Sequence, residues 1–228
     1  MNGQNRVGAV IVAAGESQRM GGTDKVRAPL GGKPLLASPI NTFQECPLVG
    51  QVVVVVSAKN EEWCRRLVAE ERWSKVSDIC TGGRRRQDSV AAGLGQLDEC
   101  DWVVIHDGAR PLVTVDLIKN GLETAGETGA AVAAVPVADT IKVAGDDKIV
   151  QETPTRQNLW AVQTPQVFRF DIIIEAYRRA NSDVTDDATL VEQAGCRVKL
   201  YMGSYDNIKV TTPDDLALAE LLWRKYEK

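Results

Sequence analysis

Ala13-Ala14-Gly15-Glu16-Ser17-Gln18-Arg19-Met20-Gly21-Gly22 follows the first apolar run of the chain, and Lys25 stands just beyond it. Small residues let backbone N–H groups approach phosphate oxygens, and Arg19 and Lys25 supply the positive charge that a triphosphate needs nearby. In outline this is a phosphate-cradling loop; taken alone it reads equally as a Gly-rich turn with exposed cations. It lacks both the Gly-Lys-Ser/Thr ending of a Walker A loop and the glycine spacing of a dinucleotide fingerprint. A second cluster, His106-Asp107-Gly108-Ala109-Arg110-Pro111, closes another apolar run. Asp107 at a strand's carboxyl end is placed to hold Mg²⁺ or meet substrate hydroxyls, or it caps the next turn. His106 is the only histidine; we read it as packed or hydrogen-bonded, and a His-based metal cluster within one chain is excluded. Arg84-Arg85-Arg86 is the one basic cluster, read as a solvated helix start with a triphosphate contact as the alternative.

These residues need a scaffold, and the apolar pattern indicates one. Val7–Val12, Gln51–Val56, Trp102–Ile105 and Gly129–Val135 read as strands buried on both faces. Leu35–Cys46, Glu61–Glu70, Gln87–Leu97 and Val115–Glu127 between them carry helical spacing. Such alternation predicts a Rossmann-like α/β fold, a mostly parallel sheet with helices on both faces. Ligands in these sheets sit beyond the carboxyl ends of strands, here the loops after Val12, Ile105 and Val135. Near the C-terminus, Thr212 reads as an N-cap with Pro213 at the first helical position.

The stretch 137–158 breaks the rhythm. Asp139–Val143 and Lys148–Glu152 flank a turn signal at Ala144–Asp147 and predict a protruding β-hairpin arm. An isolated hairpin is marginal in water, so a packing partner is expected, plausibly a second subunit. We read residues 1–228 as one domain with 137–158 as an arm within it.

Composition narrows the function classes. Across 228 residues, 44% hydrophobic and 25% charged, the formal net charge is -4, which argues against a nucleic-acid binder that relies on a general basic surface. The five cysteines are widely spaced, with no metal-binding pattern, and suit a reducing compartment. The first apolar run is too short for a signal segment or a membrane span. The expectation is a cytoplasmic protein without membrane or nucleic-acid partners.

Taken together, seven ordered motifs resemble the 2-C-methyl-D-erythritol 4-phosphate cytidylyltransferase family along essentially the whole chain. They are Ala13-Ala14-Gly15 with Arg19-Met20-Gly21; Gly82-Gly83 with Asp88-Ser89-Val90; His106 to Pro111; Asp139-Thr140-Ile141-Lys142; Leu159-Trp160 with Gln163-Thr164-Pro165-Gln166; Thr185-Asp186-Asp187-Ala188; and Asp206 to Thr211. The resemblance implies a nucleotide-diphospho-sugar transferase-like fold that uses CTP and a divalent cation such as Mg²⁺. It implies nucleotide contacts at Ala13, Ala14, Gly15, Gly83, Ser89 and Gly108. Arg19 and Lys25 would stabilise charge at the α-phosphorus. Asp107 would contact the acceptor near the metal, and Arg110, Thr140, Arg156, Thr164 and Lys209 would orient the sugar phosphate, Arg156 and Lys209 as part of the catalytic set. In the family the arm crosses a dimer interface, so Thr140 and Arg156 would serve the neighbour's site in a homodimer.

The chemistry so implied needs little covalent help. An acceptor phosphate oxygen is already an anionic nucleophile, so in-line positioning and cancellation of repulsion between two polyanions suffice. The sequence departs from the family in four places, one of them Arg84-Arg85-Arg86-Gln87, where acidic or mixed residues are usual. Ser17 replaces a second glycine. Asp24-Lys25-Val26-Arg27 replaces a Pro-Lys-Gln-Tyr run, leaving Lys25 or Arg27 as the phosphate-facing cation, with Lys25 requiring the smaller shift. Gly108 stands where alanine is usual, a change expected to be harmless. Two other readings are a ribitol-5-phosphate cytidylyltransferase and a nucleotide-binding module without catalysis.

Overall fold

Strand β1 is the run Val7–Ala13, buried along its whole length, and a segment without a polar face settles inside a sheet that is covered on both sides. A computed structural model of the chain describes residues 6–15, 24–180 and 182–226. After a 3-10 turn at Lys25–Arg27 comes a hairpin of β2 (Pro29–Leu30) and β3 (Lys33–Pro34). It turns on Gly31-Gly32, both at positive φ, where glycine carries no Cβ penalty. Next come α1 (Ala37–Glu45), β4 (Gln51–Val56), α2 (Glu61–Glu71), β5 (Val76–Thr81), α3 (Arg86–Leu94) and β6 (Trp102–Asp107).

Helix α4 (Val115–Thr128) starts where the Thr114 side chain accepts from Leu117 N–H and stops at left-handed Gly129, so caps set both ends. Strand β7 (Ala130–Pro136) leads into the arm strands β8 (Val143–Ala144) and β9 (Val150–Glu152). The chain returns as β10 (Trp160–Arg169), α5 (Phe170–Arg179), α6 (Asp187–Gln193), β11 (Lys199–Met202) and α7 (Pro213–Tyr226). The expected Thr212 cap is present: its Oγ1 accepts from Asp215 N–H at 3.3 Å, and Asp215 accepts from Thr212 N–H at 2.9 Å.

The seven-stranded sheet has the order β11-β7-β10-β6-β1-β4-β5. β1 runs parallel to β4 and β6, β4 to β5, and β7 to β11. Only β10 is antiparallel, lying between β6 and β7. Alternate residues of β1 feed two cores: Ile11 meets Ile40, Phe43 and Val104 on one face, while Val10 joins Val55, Val90 and Ile105 on the other. A third cluster, Leu30, Leu35, Val210 and Ala219 with Trp223 against it, seats α7 on the β2–β3 hairpin. The polar chemistry is thereby confined to the strand ends.

The arm is shorter than the sequence suggested. Its ladder joins only Val143 and Ala144 to Glu152 and Val150, with a register shift between them. Ile149 and Val150 are 66% and 52% exposed, so the described residues leave the arm's apolar side chains largely uncovered and a longer ladder has no packed face to rest on.

Candidate active site

Three strand ends converge. A Cβ on Gly82 would overlap that of Ala14, so only glycine lets the exit of β5 touch the exit of β1. Between them opens a cavity of about 800 Å³ lined by Ala13, Ala14, Gly15, Lys25, Gly83 and Ser89. Ser89 is buried in the first turn of α3 and donates to the Arg85 carbonyl at 3.1 Å. Arg19 lies outside the described residues.

Lys25 and Arg27 occupy different surroundings. Arg27 donates to Asn60 Oδ1 at 2.8 Å and to the Lys59 carbonyl at 3.2 Å, and its guanidinium lies 4.8 Å from the centroid of the Trp63 ring. Those contacts hold it against α2. Lys25 lines the cavity, on a turn whose preceding Asp24 is bound by Val26 N–H, Asn60 and Lys59.

Asp107, the last residue of β6, is the centre of charge. Its side chain is 8% exposed; Lys209 Nζ lies 2.8 Å from Oδ2, Arg86 Nε 3.1 Å from Oδ1, and Arg110 Nε 3.7 Å from Oδ2. Burial alone would push its carboxyl up, but Arg86, Lys209 and Arg110 outweigh that and hold it well below the usual carboxylate range. Its backbone N–H donates to Thr164 Oγ1 at 3.0 Å, and that oxygen lies 3.0 Å from His106 Nδ1. His106 Nε2 lies 3.1 Å from the Arg110 carbonyl. A carbonyl only accepts, so Nε2 carries the proton and Nδ1 accepts from the Thr164 hydroxyl. His106 is structural, as expected, and burial pushes its imidazole down to about 4.

Lys209 is held by its neighbours. Val210 N–H donates to the Ala109 carbonyl at 2.8 Å, Arg110 Nη1 donates to the Asn207 carbonyl at 2.8 Å, and buried Asn207 donates to the Thr164 carbonyl at 2.8 Å. These bonds tie the segment before α7 to the end of β6.

A second cavity, about 440 Å³, is lined by Arg110, Gln163, Thr164, Thr185 and Thr189 among others. Arg86, Asp107 and Lys209 line both cavities. The two spaces therefore adjoin at one carboxylate and two cations, an arrangement suited to bringing two anionic molecules together.

Not every expected residue joins them. Thr140 and Arg156 are exposed on the arm, where Arg156 Nη1 donates to the Ala138 carbonyl at 2.8 Å; neither lines either cavity. Gly108 is buried behind the first cavity, its N–H donating to the Val12 carbonyl at 2.8 Å. A Cβ there would stand 2.9 Å from both Ala13 Cβ and Leu36 Cδ1, so alanine would not be harmless in this packing. The loop after Val135 leads to the arm, and the end of β5 takes its place in the site.

The arginine run divides. Arg84 is exposed, Arg85 pairs with Asp88 and Asp183, and Arg86 turns inward to Asp107 and to Asp187 at 2.8 Å. Sequence reasoning missed Arg86 and Asp187. The available signal was spacing: Arg86 precedes Ser89 and Val90 by three and four residues, the inward face of α3.

Asp107 does not fit as a metal ligand in this arrangement, because both of its oxygens already face cations. Asp187 is taken by Arg86 and Tyr177, and Asp186 by Gln166 and Thr189. No group of three or more His, Cys, Asp or Glu side chains that could hold a metal occurs among the described residues.

Comparison with known proteins places this geometry. The profile of the 2-C-methyl-D-erythritol 4-phosphate cytidylyltransferase family matches residues 7–225. The chain is 53% identical to the 2-C-methyl-D-erythritol 4-phosphate cytidylyltransferase of Dehalococcoides mccartyi, over 96% of this chain and 97% of that protein. Among solved structures, the 4-diphosphocytidyl-2C-methyl-D-erythritol synthase of Anaerococcus prevotii superposes with a TM-score of 0.84 at 27% identity, covering 97% of this chain and 99% of that one. The Thermus thermophilus 2-C-methyl-D-erythritol 4-phosphate cytidylyltransferase gives 0.78 at 32% identity, covering 96% and 99%.

Proposed function

The chain belongs to the 2-C-methyl-D-erythritol 4-phosphate cytidylyltransferase family, and on that premise we propose how its own residues divide the work. The enzyme transfers CMP from CTP to 2-C-methyl-D-erythritol 4-phosphate, yielding 4-diphosphocytidyl-2-C-methyl-D-erythritol and pyrophosphate in non-mevalonate isoprenoid biosynthesis. The observation that carries the division is the pair of cavities sharing Arg86, Asp107 and Lys209. CTP occupies the larger one: Ala13, Ala14, Gly15, Gly83 and Ser89 surround the nucleoside and phosphates, Lys25 faces the triphosphate, and the role of Arg19 there rests on its place in the sequence motif. The acceptor enters the smaller one, its phosphate against Lys209 and Arg110.

An oxygen of the acceptor phosphate then forms a bond to the α-phosphorus of CTP, and the bond from that phosphorus to the β-phosphate bridge breaks with release of pyrophosphate. The nucleophile is already an anion, so no proton has to be removed. The site agrees: His106 is neutral with both nitrogens engaged, and Asp107 is surrounded by cations. The protein contributes alignment and charge cancellation. Mg²⁺ that accompanies CTP would ride chiefly on phosphate oxygens, and no step above depends on it.

The whole chain acts as one cytidylyltransferase domain, and residues 137–158 are its dimerising arm. Thr140 and Arg156 complete the acceptor site of a second copy. Supporting this, Ile141, Val143, Ile149 and Val150 are exposed on the arm, and Met202 and Tyr205 are exposed near its base, apolar side chains that a partner would cover. The five cysteines are free, which supports a cytoplasmic enzyme; no helix among the described residues is long and apolar enough to cross a membrane. Pyrophosphate release from CTP, measured with methylerythritol phosphate and ribitol 5-phosphate offered separately, is the test. Strong preference for the first is expected; equal or greater turnover of the second would sink the assignment of the acceptor.

A further inference from the structure

We propose that Arg86 is a positioning residue: it holds Asp107 at the junction of the two cavities and is itself braced from behind by Asp187 and Tyr177. This rests on the division of cavities given above and adds to it the group that keeps the junction in place.

Arg86 opens α3, yet its side chain reaches two other elements. Nε meets Asp107 Oδ1 at the end of β6, and Nη1 donates to Asp187 Oδ2 at the start of α6. The Asp187 side chain is 1% exposed, and its other oxygen accepts from Tyr177 on α5 at 2.6 Å. One planar guanidinium thus joins two buried carboxylates in directions that a single ammonium cannot serve at once. Its Nη2 is buried with no hydrogen-bond partner among the described residues, so the side chain is held by these two carboxylates.

The placement has two consequences. With Oδ1 taken by Arg86, the Asp107 carboxylate is fixed with Oδ2 toward Lys209, the cation that meets the acceptor phosphate. Arg86, Arg110 and Lys209 against Asp107 and Asp187 also leave one net positive charge at the junction, three minus two. Without Arg86 the cluster is neutral, Asp187 is a buried carboxylate with no cation, and Asp107 is free to turn fully onto Lys209 and mask it. Arg86 lines the nucleotide cavity as well, but the Asp107–Lys209 pair that it fixes is the one that meets the acceptor phosphate, so the loss falls mainly on turnover with the acceptor.

Steady-state pyrophosphate release with Arg86→Gln, Asp107→Asn and the double variant tests this. Arg86→Gln is expected to lower kcat by about 10²-fold, on the scale of other lost electrostatic contacts, while the KM for CTP moves less than about threefold. Because Arg86 acts through Asp107, adding Arg86→Gln to Asp107→Asn is expected to cost less than about threefold more. An equal cost in both backgrounds, or a folded Arg86→Gln enzyme within threefold of the parent, overturns the proposal. If Arg86→Gln does not fold, Arg86→Lys carries the same cycle, and Tyr177→Phe, which removes only the bracing hydroxyl, is expected to lower kcat about three- to tenfold. Unchanged kcat in both of those variants also overturns it. A parent enzyme that releases no pyrophosphate with methylerythritol phosphate would refute the functional assignment instead.

Discussion

The Lys209 ammonium lies 2.8 Å from Asp107 Oδ2, with the lysine side chain 39% exposed and the aspartate 8% exposed. The pair is buried on one side and open on the other. Asp107 aims a flexible lysine into the space between two cavities, and the outer face of the ammonium keeps hydrogens for an incoming phosphate.

Removing that ammonium tests the arrangement directly. Lys209→Ala is expected to lower kcat/KM for methylerythritol phosphate by about 10²- to 10³-fold. CTP binding, measured by calorimetry, should fall much less, since Lys209 is one residue among many around the larger cavity. A variant that loses CTP affinity and keeps acceptor affinity would reverse the roles of the two cavities.

Lys25 lines the larger cavity and Arg27 packs against α2, so their removal is expected to have different effects. Arg27 spends its guanidinium on Asn60, the Lys59 carbonyl and the Trp63 face. Arg27→Ala is therefore expected to destabilise the fold by about 1–2 kcal/mol while leaving kcat within a few-fold of the parent. Lys25→Ala should show a turnover loss of about 10²-fold or more, a far larger effect on activity than Arg27→Ala has. The paired assays, turnover and melting temperature, decide between them.

How much of this was legible beforehand varied with the physics of each element. β1, β4, β6 and β7 announce themselves because strands buried on both faces need unbroken apolar runs. β5, Val-Ser-Asp-Ile-Cys-Thr, lies at the sheet's edge with one fully buried residue, so its pattern is diluted. β10 contains Pro165, which cannot donate to a ladder, and its register shifts there. The site followed the same division. Lys25, Asp107 and Lys209 sit in local motifs, whereas Arg86 and Asp187 are 101 residues apart and acquire their meaning only when α3 and α6 pack on one face. An arginine run also ordinarily signifies solvent; here Arg84 and Arg85 are exposed while lining the larger cavity, and Arg86 turns inward.

The shared-site arrangement predicts complementation between two crippled chains. Arg156→Ala and Lys209→Ala homodimers should each be nearly inactive. If the arm of one chain serves the other's site, random reassociation regenerates one intact site in half of the dimers, about a quarter of parental activity. Activity that never exceeds that of the separate variants, in mixtures shown by mass to contain heterodimers, would place Arg156 in its own chain's site or in none.

Gly108 carries a packing prediction. A methyl group there meets Ala13 Cβ and Leu36 Cδ1 at 2.9 Å, both in a filled core, so Gly108→Ala is expected to cost about 1–3 kcal/mol. Chemical denaturation reads the change. Unaltered stability would mean that β1 and β6 can separate at their ends more easily than their packing implies.

The last expectation concerns acid. His106 is fully buried, and burial pushes its imidazole down to about 4 from an ordinary 6.5. Protonating Nδ1 would set it against a Thr164 hydroxyl that already donates to it. The unfolded chain takes up a proton near pH 6.5 and the folded chain does not until about 4, so the histidine's contribution is complete above pH 6.5 and gone below about 4. That interval is worth about 3 kcal/mol. Asp107, held low by its cations, acts in the same direction at still lower pH, while Asp187, pushed up by burial, opposes it. Urea unfolding of the parent and of His106→Gln between pH 7 and 4.5 isolates the histidine. The parent should lose about 2–3 kcal/mol more than the variant over that range, and parallel slopes would mean that His106 is charged in the folded enzyme.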